Sequence, residues 1–215
     1  MQAVIDNLPL LLEGFGMTLL LLVVSGAAAL LIGVVAAVMR ISPVPSLRWV
    51  ATGYTELLRN TPLTLVFAFC IFVVPSLGVR IDFLPLALVA LTAYTSPFVA
   101  EALRSGFNGV PVGQAEAARS IGLGFGQILR LVILPQALRM SVPPLINVLI
   151  ALTKNTSVAG GFFIVELVAT GRQLANANGN AVIEILLAVA ILYLVITVTL
   201  GLVAGRVEKG LRVLR

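Results

Sequence analysis

Long apolar runs alternate with short polar links along this chain, and the runs are long enough to cross a membrane. The first run holds 26 uncharged residues between Glu13 and Arg40. Uncharged apolar runs of roughly 18 residues or more are typical of transmembrane helices. We therefore predict an all-α, polytopic membrane helix bundle of five transmembrane helices in a single domain, 1–215. The predicted spans cover about 14–39, 60–79, 83–103, 136–157 and 185–205.

The expected start of the second span is marked by Asn60, Thr61 and Pro62. A capping side chain there precedes a proline, whose missing N–H costs nothing in the first turn of a helix. The preceding stretch, 40–59, is interpreted as a polar link.

Proline and glycine positions predict irregularities in the later spans. Pro97 is expected to bend the third span, because its ring removes a backbone hydrogen bond. The uncharged run 140–153 is short, so the fourth span needs the polar residues at both of its ends. The segment 158–165, which precedes Glu166, is expected to be partly re-entrant or extracellular.

Composition supports a membrane protein and narrows its chemistry. The chain is 60% hydrophobic and only 11% charged, against about a quarter charged in soluble domains. It contains no histidine, which excludes a histidine-based metal site or proton relay. The single cysteine, Cys70, lies in an apolar run and is interpreted as a small buried hydrophobe.

The distribution of positive charge predicts the orientation of the bundle. If the N-terminus is outside, five spans place only Arg80 and Arg172 on the outer side, and Lys154 stays unassigned. The opposite orientation would place most of the basic residues outside. The positive-inside rule therefore favours an N-out, C-in topology, with no role in nucleic-acid binding. The predicted cytoplasmic residues are Arg40, Arg48, Arg59, Arg104, Arg119, Arg130, Arg139, Arg206, Lys209, Arg212 and Arg215.

The longest polar interruption, 112–139, is then a cytoplasmic loop. Its pattern predicts two short helical pieces, 114–121 and 125–134, hinged at glycines and stopped by Pro135. Small residues around Glu116 would let the first piece press into a groove of a partner protein. An amphipathic helix lying on lipid headgroups explains the same pattern equally well.

The motif in this loop resembles the EAA loop of ABC importer permeases. That loop has EAA, three residues, G, nine residues, then I, any residue and LP. Here Glu116, Ala117 and Ala118 are followed at these spacings by Gly122 and by the run VILP, with valine as the only departure. The resemblance implies that 112–135 is the coupling loop and that a coupling helix, 114–122, docks in a cytoplasmic ATPase subunit. Arg119 lies on the same helix and is assigned to the same contact.

Other segments extend the resemblance to the polar amino acid branch of this family. They include YTELLRNTPL at 54–63 and KNTS at 154–157. The amino-acid sequences of several of these segments most resemble those of actinobacterial glutamate-uptake permeases. The resemblance implies a type I ABC importer permease in the bacterial plasma membrane that moves a polar amino acid, with L-glutamate as the leading candidate. Glutamine, aspartate or a basic amino acid are the alternatives.

The same resemblance implies the partners. They are a second permease subunit, identical or paralogous, two cytoplasmic ATPase subunits that hold ATP and magnesium, an extracellular amino-acid-binding protein and membrane lipid. No phosphate-binding G-x-x-x-x-G-K-[ST] loop occurs in the sequence. We therefore expect no catalytic residue, cofactor or metal in this chain.

The candidate substrate pathway consists of polar residues near the middle of the predicted spans. Lys154, Asn155, Thr156 and Ser157 follow a proline-kinked helix and offer an ammonium and hydroxyls to an amino acid carboxylate. Alternatively, Lys154 snorkels or pairs with an acid, and the hydroxyls bond helix carbonyls. Two more candidates, Asn60 and Thr61, are better explained as helix caps than as ligand contacts.

Two other functional classes are less well supported. A secondary amino acid transporter would favour inverted internal repeats or a buried carboxylate for ion coupling, and the two halves show no repeat. The acid nearest the middle of a span, Glu101, lies close to a helix end and is interpreted as the partner of Arg104. A membrane enzyme would need a nucleophile with a base, or a metal cluster, and no such set is evident.

Overall fold

The computed structural model describes residues 2–211, with side chains for 2–207, and its elements are helices. The side chains of Lys209, Arg212 and Arg215, part of the predicted basic tail, lie outside the described residues. The α-helices are α1 Gln2–Asp6, α2 Leu8–Ile41, α3 Pro45–Arg59, α4 Leu63–Ala68, α5 Val74–Ser76, α6 Phe83–Asn108, α7 Val112–Ser120, α8 Phe125–Gln127, α9 Leu134–Asn155, α10 Leu167–Ala177 and α11 Val182–Leu211. Two π-helical segments, Phe69–Val73 and Ile128–Ile133, and two 3-10 segments, Thr156–Gly161 and Gly179–Ala181, continue these helices.

Four helical stretches of the described chain are long and apolar enough to span a membrane: Leu8–Ile41, Phe83–Asn108, Phe125–Gly161 and Gly179–Val207. A fifth is the bent pair Pro45–Arg59 and Leu63–Ser76, whose two arms meet at 102°. The predicted all-α membrane bundle is confirmed.

The second span begins differently from the prediction. The stretch 40–59 is not a plain polar link, because α3 occupies most of it. Pro62 is the N-cap of α4, and no side chain caps that helix. The Asn60 and Thr61 side chains instead donate backwards to the Glu56 and Leu57 carbonyls, at 2.8 Å and 2.7 Å. The expected caps of α4 thus close the C-terminal end of α3.

Pro97 lies inside α6 without breaking the helix. A proline at this position leaves the carbonyl of Ala93, four residues earlier, without its helical donor. The Ser96 hydroxyl donates to that carbonyl at 3.4 Å, and the Tyr54 hydroxyl lies 3.5 Å from it. Tyr54 also hydrogen-bonds Ser96 at 2.6 Å. The freed carbonyl is therefore satisfied within the protein, as a membrane interior requires, and α3 is held against α6.

Pro135 does not stop the second piece of the polar loop. It stands in the first turn of α9, directly after the π-helical segment Ile128–Ile133, and the whole stretch Phe125–Gly161 stays helical. A proline is tolerated in a first turn because its N–H is not needed there, and the wider π-helical turn has its own hydrogen-bond pattern. The second half of the loop 112–135 consequently passes into the fourth candidate span without a break.

Small residues let α6 pack closely against α2 and α9. A Cβ atom added at Gly33 of α2 would lie 2.5 Å from Val99 of α6. One added at Gly106 of α6 would lie 2.5 Å from the Ala137 carbonyl of α9 and still closer to the Ser141 hydroxyl. These close approaches make α6 the central helix of the bundle, consistent with small-residue packing in membranes.

The segment after the fourth span turns back into the protein. The 3-10 segment Thr156–Gly161 leads to Phe163, a non-glycine residue with a positive φ of 65°. Glu166 follows, fully buried, and caps the short helix α10. The re-entrant or extracellular placement of 158–165 stays a prediction.

Candidate functional site

Helix α7 presents the residues of the EAA motif at the surface. Glu116, Ala117 and Arg119 are exposed, whereas Ala118 is buried at 6% exposure against the rest of the chain. The helix begins after Pro111, which is its N-cap in extended geometry. One face of α7 is thus seated on the bundle and the other is free for a partner.

The end of α7 explains the glycine in the motif. Gly122 has a φ of 86°, which a side chain would strain. Its N–H donates to the Arg119 carbonyl at 3.0 Å, and the Leu123 N–H donates to the Ala118 carbonyl at 3.2 Å. This pair of bonds is the Schellman motif, which closes a helix by a left-handed residue. The reversal lets the chain return to the bundle through α8.

Exposed apolar side chains stand at both ends of α7 and at the start of α8. Val112 is 73% exposed, Ile121 77% and Phe125 78%. Large exposed apolar groups beside a charged helix mark an interaction site more often than a solvated face. Both the partner groove and the lipid surface remain compatible with this pattern.

A charge cluster ties the end of α6 to two neighbouring helices. Glu101 contacts Arg40 of α2 at 2.8 Å, Arg59 of α3 at 3.5 Å and Arg104 of its own helix. The predicted pairing of Glu101 with Arg104 is confirmed, and the two other arginines are additional. The Arg40 side chain is the most buried of the three, at 12% exposure. α7 begins eight residues after Arg104, so the cluster lies, along the chain, between α7 and the longer N-terminal part of α6.

A cavity of about 370 Å³ opens between α6 and α9. The Thr95 hydroxyl is 3% exposed and is the one buried side-chain polar atom of the described residues without a hydrogen-bond partner. Tyr94 and Phe98 of α6 and Asn147 and Asn155 of α9 line the same cavity. A largely apolar cavity that presents a few polar groups beside a spanning helix is typical of a pathway for a polar substrate.

The side chains of the four residues 154–157 lie in different surroundings. Asn155 lines the cavity, whereas Lys154 is exposed and makes no ion pair within the described chain. The Thr156 and Ser157 hydroxyls donate to the Thr153 and Lys154 carbonyls, each at 2.7 Å. The two hydroxyls therefore bond helix carbonyls, as the alternative interpretation predicts, and Asn155 is the member of the set that lines the cavity.

A buried polar group that the sequence does not single out as a site lies on the other side of the bundle. Glu166 accepts hydrogen bonds of 2.9 Å from the Val168 and Ala169 N–H groups and from the Tyr193 hydroxyl. Thr18 of α2 accepts a bond of 3.2 Å from the Leu167 N–H. The sequence shows Glu166 only as an acid after an apolar segment, and no periodicity reveals that it turns inward.

Among residues 2–207, no group of three or more cysteine, aspartate or glutamate side chains is arranged to hold a metal ion.

Comparison with known proteins defines the class. Residues 29–213 match the family described as the inner membrane component of binding-protein-dependent transport systems. The chain belongs to this family, which confirms the resemblance drawn from the EAA motif. It also places the chain in the bacterial plasma membrane as a multi-pass protein, as predicted.

Individual relatives point to amino acid transport. The chain is 39% identical to a probable glutamine ABC transporter permease protein of Bacillus subtilis, over 96% of this chain and 95% of that one. It is 41% identical to a glutamate transport system permease protein of Corynebacterium glutamicum, over 95% of each chain. A chain in a crystal structure of an amino acid ABC transporter with histidines superposes with a TM-score of 0.91, at 28% identity over 97% of both chains. The predicted resemblance to the polar amino acid branch is therefore confirmed, and the fold is that of an ABC transporter permease.

Proposed function

We propose that the chain is the permease subunit of an ABC importer that moves a polar amino acid into the cytoplasm. The observation that carries the proposal is the exposed face of α7, with Glu116 at its centre. This face occurs in a chain whose relatives are amino acid permeases. The cavity between α6 and α9 supplies polar groups for a substrate. Along α6 the cavity residues precede the charge cluster, whereas α7 follows it.

ATP and magnesium are bound by partner ATPase subunits in this proposal. Helix α7 docks in such a subunit through Glu116, Ala117, Ala118 and Arg119, and Gly122 lets the chain turn back toward α9. Closure of the ATPases then moves α7, and the movement reaches α6 and the fourth span. The chain itself has no catalytic residue in this scheme, and the orientation is N-out and C-in.

A second permease subunit, identical or paralogous, completes the pathway. Asn147 and Ala151 line the cavity and yet are exposed, so the cavity is open on one side of α9. Two permeases, two ATPases and an extracellular binding protein form the proposed complex. The binding protein delivers the amino acid to the outer end of the cavity.

The proposed cargo is L-glutamate, with L-glutamine as the second candidate. Relatives named for each lie at nearly the same identity, 41% and 39%. In this proposal Asn155 and Thr95 contact the substrate, because both border the cavity. The other predicted pathway residues, Lys154, Thr156, Ser157, Asn60 and Thr61, do not line it and are given no substrate contact.

The cargo is tested with the binding protein that co-purifies with the complex. Labelled glutamate is taken up into vesicles that contain ATP, and unlabelled glutamine, aspartate and arginine compete in turn. Competition by aspartate but not by glutamine supports glutamate as the cargo. Strong competition by glutamine or arginine reassigns the substrate and leaves the ATP-driven mechanism in place.

Coupling is tested separately with Glu116→Lys and Glu116→Gln. The lysine places a positive charge where the docking site is expected to hold a cation, so transport should fall while ATP hydrolysis continues. The glutamine keeps the shape and should retain more transport. Normal transport by Glu116→Lys at normal membrane insertion would remove α7 from the coupling role.

A further inference from the structure

Arg59 occupies an unusual place between the charge cluster and the cavity. It is the last residue of α3, directly before the 102° bend into α4. Its guanidinium carbon lies 5.8 Å from the centre of the Phe98 ring, and Phe98 lines the cavity. Arg59 is therefore adjacent to the end of the cavity that is closest to Glu101, one turn further along α6.

The contact of Arg59 with Glu101 is the loosest of the three. It measures 3.5 Å, whereas Arg40 reaches the same oxygen at 2.8 Å and Arg104 bonds both oxygens. The Arg59 side chain is 36% exposed, three times the value for Arg40. If Arg59 leaves, Glu101 keeps two cations, so its carboxylate is not stranded.

The cluster carries an excess of positive charge. Three guanidinium groups surround one carboxylate, and Glu56 adds a more distant negative charge near Arg104. An arginine whose charge is incompletely neutralised beside a partly apolar cavity attracts an anion, and its planar fork matches a carboxylate in two hydrogen bonds.

We propose that Arg59 is a substrate-contacting residue that receives the α-carboxylate of the amino acid as it leaves the cavity toward the cytoplasm. This inference rests on the proposed import function. Arg59 exchanges Glu101 for the substrate carboxylate, while Phe98 keeps the guanidinium oriented through the cation–π contact. Arg59 thus binds a group that all amino acids share, and it does so directly beside the bend between α3 and α4.

The test uses the full complex in vesicles, with labelled glutamate and labelled glutamine as probes. Three variants are compared with the wild type: Arg59→Gln, Arg59→Lys and Arg40→Gln. Arg40→Gln is the matched control, because it removes the same charge from the same carboxylate and lies on α2 without a cavity contact. Initial uptake and ATP hydrolysis stimulated by the binding protein are measured on the same vesicles.

Arg59→Gln is expected to lower the uptake of both probes by about ten-fold, the loss expected from one charge-assisted hydrogen bond. Its stimulated ATP hydrolysis should stay close to the wild-type rate, since α7 is unchanged. Arg59→Lys should recover part of the uptake, and Arg40→Gln should lose less than Arg59→Gln.

Three results would overturn the inference. One is equal uptake by Arg59→Gln and Arg40→Gln, and another is a parallel loss of uptake and ATP hydrolysis, which indicates a structural role. The third is a loss confined to glutamate, because glutamine carries the same α-carboxylate. Failure of the import function itself is recognised in the wild-type vesicles, which would then show no ATP-dependent uptake, and the inference falls with it.

Discussion

The Tyr193 hydroxyl of α11 donates a 2.9 Å hydrogen bond to the fully buried carboxylate of Glu166. The same carboxylate caps α10 through two backbone N–H groups. One side chain thus fixes the start of α10 and joins it to the last span. A buried acid is tolerated here because its oxygens are satisfied by three donors.

Replacement of Glu166 by alanine should destabilise the fold strongly. The change removes the cap of α10 and leaves the Tyr193 hydroxyl without its acceptor, at a combined cost of about 2–4 kcal/mol. The measurement is thermal unfolding of the purified subunit in detergent, followed by a thiol-reactive dye at the buried Cys70.

Glu13→Ala is the matched control, because Glu13 is an exposed acid on α2. It should unfold close to the wild-type temperature. Equal unfolding temperatures for Glu166→Ala and Glu13→Ala would show that the Glu166 hydrogen bonds contribute little.

Gly122 and Gly126 allow a test of backbone conformation alone. Neither glycine has an atom within 4 Å of an added Cβ, and of the two only Gly122 has a positive φ, 86°. Gly122→Ala should therefore strain the end of α7 by about 1–2 kcal/mol and lower the amount of amino acid transported per ATP hydrolysed. Gly126→Ala should change neither quantity. If both variants transport equally well, the left-handed turn is not needed for coupling.

Gly106→Ala should separate α6 from α9. The added Cβ lies 2.5 Å from the Ala137 carbonyl and also meets Ser141, so one helix must shift. Overpacking of this kind costs about 1–3 kcal/mol, and the thermal unfolding temperature should fall. Gly53→Ala, in α3 with nothing within 4 Å of its Cβ position, should leave that temperature unchanged or raise it, because alanine favours helix over glycine. An equal response of the two variants would contradict the close packing of α6 on α9.

Thr95→Val tests whether the cavity holds a polar substrate. Valine has the shape of threonine and removes a buried hydroxyl that lacks a protein partner, so stability should be unchanged or higher by about 1 kcal/mol. Uptake should fall nonetheless, because the cavity loses a polar contact, and Thr95→Ser should retain more of it. Unchanged uptake by Thr95→Val would place the substrate path elsewhere.

Much of the architecture follows from local sequence signals. The apolar runs 14–39 and 83–103 lie inside α2 and α6, because a long apolar segment in lipid has few alternatives to a helix. The EAA motif places a short helix at 114–122, close to the observed Val112–Ser120. The pairing of Glu101 with Arg104 follows from their spacing of three residues on a helix.

The features that depend on distant contacts were not predicted. Arg40 and Arg59 approach Glu101 only because α2 and α3 pack on α6, and sequence spacing carries no signal for this. The carbonyl that Pro97 frees is covered by Ser96 and by Tyr54 of α3, and no spacing in the sequence indicates the contact with Tyr54. The cavity residue Thr95 has no local feature that distinguishes it from any other threonine in a span.

The most direct measurement is ATP-driven uptake in reconstituted vesicles. The permease is inserted with its second permease subunit and ATPases, with ATP inside and with the loaded binding protein outside, and the entry of labelled glutamate or glutamine is followed over time. We predict accumulation that stops when the ATPase subunits are omitted or ATP is replaced by a non-hydrolysable analogue. Uptake that persists without the ATPase subunits would contradict the account, because the chain would then act as a secondary transporter.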